Sequence, residues 1–286
     1  MTDNLISLLF ETGAVKVCEK DRPFWYTSGT IGPFYINTHF TYGSEEKANE
    51  LLEMINEAIK DKPSCHDKIA AAVSANYESD AIFRKLIDSM LEFIDSEPLL
   101  SEFDVISGGE RRDWYFSVIT AKLLNKPHMT IFKDLDAYIT NVDGSTCCAD
   151  DLTGMKILHI SDLVNEASSY LKSWIPAVRN RGGILNYTIT IVDRDQGGSE
   201  LLSRNGLTLI PMMTVNPEMF QRAYENGLID DHQLQMVKAY IADPKQSMKD
   251  FLMNHGGFLS ESLAGDQKTA ARARLCIDND IYGLKR

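Results

Sequence analysis

Apolar residues keep a helical spacing early in the chain and switch to short blocks in its middle. Leu5, Leu8 and Leu9 share one face of a short helix that stops near Gly13. Ser44, with Glu46 close behind it, opens a stronger helix in which Leu51, Leu52, Ile55, Ala58 and Ile59 keep helical spacing as far as Pro63. Ser79 or Asp80 caps the next one, where Ile82, Phe83, Leu86, Ile87, Met90, Phe93 and Ile94 form a wide apolar stripe before Pro98. Short apolar runs then appear at 103–106, 129–132, 156–160, 187–192 and 207–210. Between them, 114–124 and 167–179 read as helices, the second kinked or shortened by Pro176. This alternation predicts an α/β fold with a parallel sheet and right-handed connections. Past Thr214 the strands stop, and 217–274 reads as short helices punctuated by Gly227, Pro244, Gly256 and Gly257. The expected organisation is a core domain over 1–214 with a helical insertion at about 60–100, followed by a helical appendage over 215–286.

Composition narrows the classes of function. With 286 residues, 44% of them apolar, the chain can bury a substantial core. A net charge of -12 argues against a general nucleic-acid surface, so an anionic ligand needs a local basic site. Cys18, Cys65, Cys147, Cys148 and Cys276 form neither a disulfide framework nor a CxxC metal pattern, which fits a reducing compartment. The first ten residues are acidic, and no run of about 18 apolar residues occurs, so neither an export signal nor a membrane span is expected. A cytoplasmic location follows as the expectation, with no metal ligands held by the protein itself.

In a parallel sheet the chemistry belongs beyond the carboxyl ends of the strands. Four segments fall there, at 107–113, 133–151, 161–169 and 193–198. The first runs Ser107-Gly108-Gly109-Glu110-Arg111-Arg112-Asp113 into a helix. Its glycines allow a tight turn and its two arginines can grip a phosphate or carboxylate. The alternative is that both arginines pair with Glu110 and Asp113 on a solvated surface. In the last segment, Arg194 leaves a strand just before Gly197 and Gly198 and suits a planar carboxylate, or else forms a salt bridge with Asp193 or Asp195. The six histidines are scattered, and His159, alternating within a strand, reads as a satisfied core residue. No GxSxG, HExxH or GxxxxGK[ST] pattern supports a hydrolase or a P-loop enzyme.

Taken in order, these segments resemble the orotate phosphoribosyltransferases, type I phosphoribosyltransferases, from about Leu5 to Met213. Ser28-Gly29-Thr30-Ile31-Gly32-Pro33-Phe34-Tyr35-Ile36-Asn37 is similar to the family segment that reaches over the pyrimidine. Asp193-Arg194-Asp195-Gln196-Gly197-Gly198 is similar to the DRxxGG segment whose Arg grips the orotate carboxylate. The resemblance implies a five-stranded parallel core, a flexible catalytic loop and a homodimer with shared active sites. It also implies Mg-assisted transfer of ribose 5-phosphate from phosphoribosyl pyrophosphate (PRPP) to orotate, with Mg required only where PRPP is bound. Asp162 would then lie near the ribose hydroxyls, and Arg112 and Lys133 would steady pyrophosphate. Arg194 with Phe34 and Tyr35 would hold the base.

The departures concentrate on the phosphate side. The family motif of two acids and a Thr- and Gly-rich loop corresponds to Ile160-Ser161-Asp162-Leu163-Val164-Asn165-Glu166-Ala167-Ser168-Ser169, where only the second acid remains. Glu166 stands at the place of a phosphate-binding Thr. At about 6 Å and an effective dielectric of about 20, its carboxylate would repel each unit of phosphate charge by roughly 3 kcal/mol. The same residues read as an ordinary helix start, with Asn165 as cap and Glu166 at the positive end. In 131–139 one Lys remains, Lys133, while Asp136 and Tyr138 fall where the family has a Lys and a His. Thr27 replaces another family Lys.

Two readings follow. One is an orotate phosphoribosyltransferase-like protein that binds a small pyrimidine-like or nucleotide ligand, with phosphoribosyl transfer placed in doubt by the phosphate-side changes. The other is a non-catalytic regulatory protein that keeps the fold and senses a nucleotide or anion.

Overall fold

The structure, a computed structural model, describes residues 2–284. Helix α1 (Thr2–Glu11) leads into four short strands, β1 (Val15–Val17), β2 (Phe24–Trp25), β3 (Ile31–Gly32) and β4 (Phe34–Ile36). A 3-10 turn (Thr38–Tyr42) precedes three helices, α2 (Glu45–Ala58), α3 (Lys62–Ser79) and α4 (Ala81–Ser96). Next come β5 (Val105–Gly109), α5 (Trp114–Leu123), β6 (His128–Ile131), β7 (Ala137–Thr140) and β8 (Thr146–Cys148). They are followed by β9 (Lys156–Val164), α6 (Ile175–Arg179), β10 (Ile184–Asp193), α7 (Gly198–Arg204) and β11 (Thr208–Thr214). Five helices close the chain: α8 (Pro217–Glu225), α9 (Asp231–Ala242), α10 (Pro244–Asn254), α11 (Phe258–Ala264) and α12 (Gln267–Asp278).

The chain forms two compact units. One contains the residues up to Ala14 together with Thr38–Val215, and the other contains Val15–Asn37 together with the chain from Asn216 onward.

The first unit is built on a seven-stranded sheet in the order β11-β10-β9-β5-β6-β7-β8. Its first five strands are parallel, as the alternating pattern required, and β7 and β8 add an antiparallel edge. Side chains alternate across the strands. On one face Val105, Met129, Ile131, Ile157 and Leu185 pack against Tyr170, Trp174, Ile175, Val178 and Leu202. Helix α5, buried along nearly its whole length, packs on β5 and β9, and α3 packs outside it. Burial of this kind stabilises by about 25 cal/mol for each Å² of apolar surface removed from water.

Three local expectations are corrected. Pro63 does not merely end a helix; it lies in the first turn of α3, where its missing N–H costs nothing. Gly108 and Gly109 belong to β5 and make no turn: a Cβ there would come well inside 3.0 Å of Ser117 and Trp174 respectively. Asn165 does not cap a helix, because β9 continues to Val164 and Ala167 then turns through a left-handed conformation (φ 52°). Pro176 behaves as expected, ending a π-helical turn (Tyr170–Trp174) and opening the short α6.

In the second unit β1 pairs with β4 and β2 with β3, both antiparallel. Its core gathers Trp25, Ile31, Met248, Leu252, Ala273, Cys276 and Tyr282. The Trp25 indole N–H donates to the Ser262 hydroxyl at 3.0 Å, and the Ile31 N–H donates to the Tyr282 hydroxyl at 2.8 Å. Among the described residues no helix is long and apolar enough to cross a membrane.

Candidate functional site

The sheet changes direction at β5. From there the chain crosses to β6 on one side, and it later returns to lay β9 on the other. At such a point the loops leaving neighbouring strands diverge and open a crevice beyond their carboxyl ends. Two of the four segments singled out in the sequence, 107–113 and 161–169, border this crevice.

Asp113 joins them. One of its carboxylate oxygens accepts the Gly109 N–H at 3.0 Å, and the other accepts the Asp162 N–H at 3.1 Å. Both acids are buried, with 7% and 9% of their surface exposed. Burial, reinforced by the negative charge of Asp113, pushes the Asp162 carboxyl up to about 8 despite the opposing charge of Arg112. The shift favours the protonated form of Asp162, whose carboxyl lies beside the Asp113 carboxylate. His159 lies behind them, fully buried. Its Nε2 stands 3.5 Å from Asp113, its Nδ1 meets the Ser107 hydroxyl at 2.9 Å, and its ring stacks on Trp174. Ser, His and Asp thus follow one another, but Ser107 has no exposed surface, so the chain cannot deliver a nucleophile to a substrate.

The loop after Asp162 retains anion-binding features beside a repelling one. Among the described residues the N–H groups of Glu166, Ala167 and Ser168 donate to no acceptor. The Glu166 side chain is exposed next to them. The Asn165 carbonyl lies so near Gly198 that a Cβ at that position would collide with it, which fixes the start of α7 against this loop.

The candidate cations fall into two groups. Arg111 hydrogen-bonds Asn56, and Lys133 lies 3.8 Å from Glu110, whose carboxylate also accepts the Lys133 N–H at 3.2 Å. Arg112 is exposed and Arg194 half-buried, and among the described residues neither guanidinium has a hydrogen-bond or ion-pair partner. The charge of Arg112 nevertheless reaches inward, since together with burial it lowers His39 to about 3. Neither surface ion pair considered for the arginines is formed: Asp113 faces inward, and Asp193 accepts the Asp195 N–H.

The segment corresponding to the family's mobile loop is held in a tight turn between β6 and β7. The Phe132 N–H donates to the Asp136 carbonyl, and Lys62 of α3 reaches Asp134 at 2.5 Å, Asp136 at 2.7 Å and the face of the Phe132 ring.

The remaining predicted residues lie in the second unit. Ser28 is exposed and bonds Thr30 at 2.7 Å, and Gly29 (φ 80°) turns against Leu275. Phe34 packs between Phe220 and Tyr240 in that unit's interior, while Tyr35 on the other side of the strand is 38% exposed.

The acids do not fit a magnesium ion held by the protein. Asp113 is engaged by two N–H groups and Asp162 is buried with its protonated form favoured, which among the described residues leaves no pair of charged oxygens facing the crevice.

Sequence reasoning missed Asp113. Its only local mark was an acid placed between a strand end and the apolar helix after it. Among arginines that signal reads as a surface ion pair.

No protein-family model matches the chain. The orotate phosphoribosyltransferase of Sulfolobus acidocaldarius is 24% identical over 160 residues, covering 56% of this chain and 76% of that protein. The solved Leishmania donovani UMP synthase aligns with a TM-score of 0.55 at 16% identity, covering 84% of this chain and 42% of that one. The solved orotate phosphoribosyltransferase of Aeropyrum pernix aligns with a TM-score of 0.51 at 18% identity, covering 79% of this chain and 99% of that one.

Proposed function

We propose that this chain, a diverged relative of the orotate phosphoribosyltransferases with the type I phosphoribosyltransferase fold, binds a carboxylated pyrimidine-like ligand without transferring phosphoribosyl groups. The observation that carries the reading is the guanidinium of Arg194 at the end of β10, which among the described residues is unpaired. A planar guanidinium offers two parallel N–H donors to a carboxylate, and among the described residues Arg194 has no acid to compete with the ligand. Arg112 supplies a second cation beyond β5 that among the described residues is unpaired.

Transfer from PRPP asks more of the site. It needs cationic and N–H donors around pyrophosphate as negative charge builds on it, and an accessible acid near the ribose. The only acid left from the family motif, Asp162, is buried beside Asp113, and that burial favours its protonated form. Lys133 already faces Glu110, and the turn that carries it is tied to α3. A regulatory role for the ligand accords with these features, because binding residues persist where transfer residues have changed.

The test is turnover of orotate and PRPP with Mg, read as pyrophosphate release, beside orotate binding by calorimetry. Binding without release is the expected outcome. Steady release that scales with the amount of protein would overturn the proposal.

A further inference from the structure

We infer that Asp113 decides the ligand class of the crevice between β5 and β9, acting as a built-in anion that excludes pyrophosphate. The inference deepens the function proposed above and rests on its assignment of the crevice as a ligand site.

Main-chain N–H groups at the ends of parallel strands are the donors with which an α/β fold holds phosphate oxygens. Here the N–H groups of Gly109 and Asp162 are already satisfied by the two oxygens of one carboxylate, at 3.0 and 3.1 Å. Asp113 is held on its remaining sides as well. Helix α5 begins directly after it, His159 stands 3.5 Å away, and Asp162 can give it a hydrogen bond. Moving it aside would abandon two charge-assisted bonds and leave buried N–H groups without acceptors.

An entering pyrophosphate would therefore meet a fixed carboxylate and lose both donors. Glu110 sets a second carboxylate at the same strand end, bound to Lys133. Arg112 is the unpaired cation nearby, and part of its charge already acts on Asp162. A ligand with a single carboxylate, by contrast, can reach the outward guanidiniums without entering the gap between β5 and β9. The class implied is a carboxylated base or nucleoside that lacks a pyrophosphate group.

Calorimetry with inorganic pyrophosphate, with and without Mg, tests this on the full chain and on D113N and D113S. Thermal melts verify that the variants fold. The wild type should give no saturable binding in the millimolar range. Removing one unit of charge within about 6 Å at an effective dielectric of about 20 should tighten pyrophosphate binding at least about tenfold in D113S, which also frees both N–H donors. Saturable wild-type binding as tight as that of D113S would overturn the inference, as would a folded D113S with no gain. If neither variant folds, the wild-type titration alone decides: silence supports the inference and saturation overturns it. A pyrophosphate gain in D113S with no orotate binding to any protein would sink the ligand reading while leaving the role of Asp113 standing.

Discussion

The main-chain N–H of Asp162 donates to the carboxylate of Asp113 at 3.1 Å, linking the end of β9 to the start of α5. The two residues are far apart in sequence, and through this bond the surviving acid of a phosphoribosyl-binding motif becomes part of the interior. In the function proposed above, its burial beside a second acid is the feature that disfavours a grip on ribose and pyrophosphate.

That burial gives stability a pH dependence of definite sign. The Asp162 carboxyl is raised from 3.8 to about 8 in the folded protein. Between those values the native state holds a proton that the unfolded chain has released. The contribution of this group is complete below the unfolded value and is lost as pH rises through the folded one. Urea unfolding at a series of pH values should show the wild type weakening relative to D162N from about 4 to about 8, by up to about 1.4 kcal/mol per pH unit. A constant difference between the two proteins would refute the raised Asp162 carboxyl.

Arg194 should matter for ligand and little for fold. R194A removes a guanidinium that no described residue engages, so its melting temperature should stay close to wild type. Orotate affinity should fall by about ten- to a hundredfold, the worth of a charge-assisted bidentate contact. An affinity unaltered by R194A would place the carboxylate elsewhere.

The two strand glycines should tolerate no side chain. G108A and G109A would drive a Cβ into Ser117 and into the Trp174 ring, neither of which has room to withdraw in a packed core. Overpacking of this kind costs about 1–3 kcal/mol, to be read from denaturant midpoints. A neutral result at both positions would mean that β5 packs differently from the description above.

Lys62 provides a smaller and salt-sensitive effect. K62M removes the contacts to Asp134 and Asp136, and because these groups are largely exposed the loss should be at most about 1 kcal/mol. The difference from wild type should shrink in high salt when melting is followed by calorimetry.

The sheet was legible because its strands are short apolar runs between helices, and the burial of β9 and β10 along most of their length is the physical source of that pattern. Helix α3 was legible only as part of a helical insertion at about 60–100 and not as an element of its own, since Ala70, Ala71 and Ala72 leave it almost without an amphipathic stripe and Pro63 at its start resembled a terminator. The hairpin of β7 and β8 was passed over although Asp143-Gly144 lies at its turn, a dipeptide that marks such turns. Of the site, Arg112 and Arg194 could be placed because strand ends are predictable. The role of Asp113 was hidden, for it depends on two N–H groups that only the folded chain brings to the same carboxylate.

Calorimetric titration of the full chain with orotate, its mononucleotide, and PRPP with Mg in parallel distinguishes a carboxylate-binding site from a pyrophosphate-binding one. Orotate should bind saturably, less tightly in R194A, and PRPP should give no heat of binding. Tight binding of PRPP together with silence from orotate would contradict the proposed function.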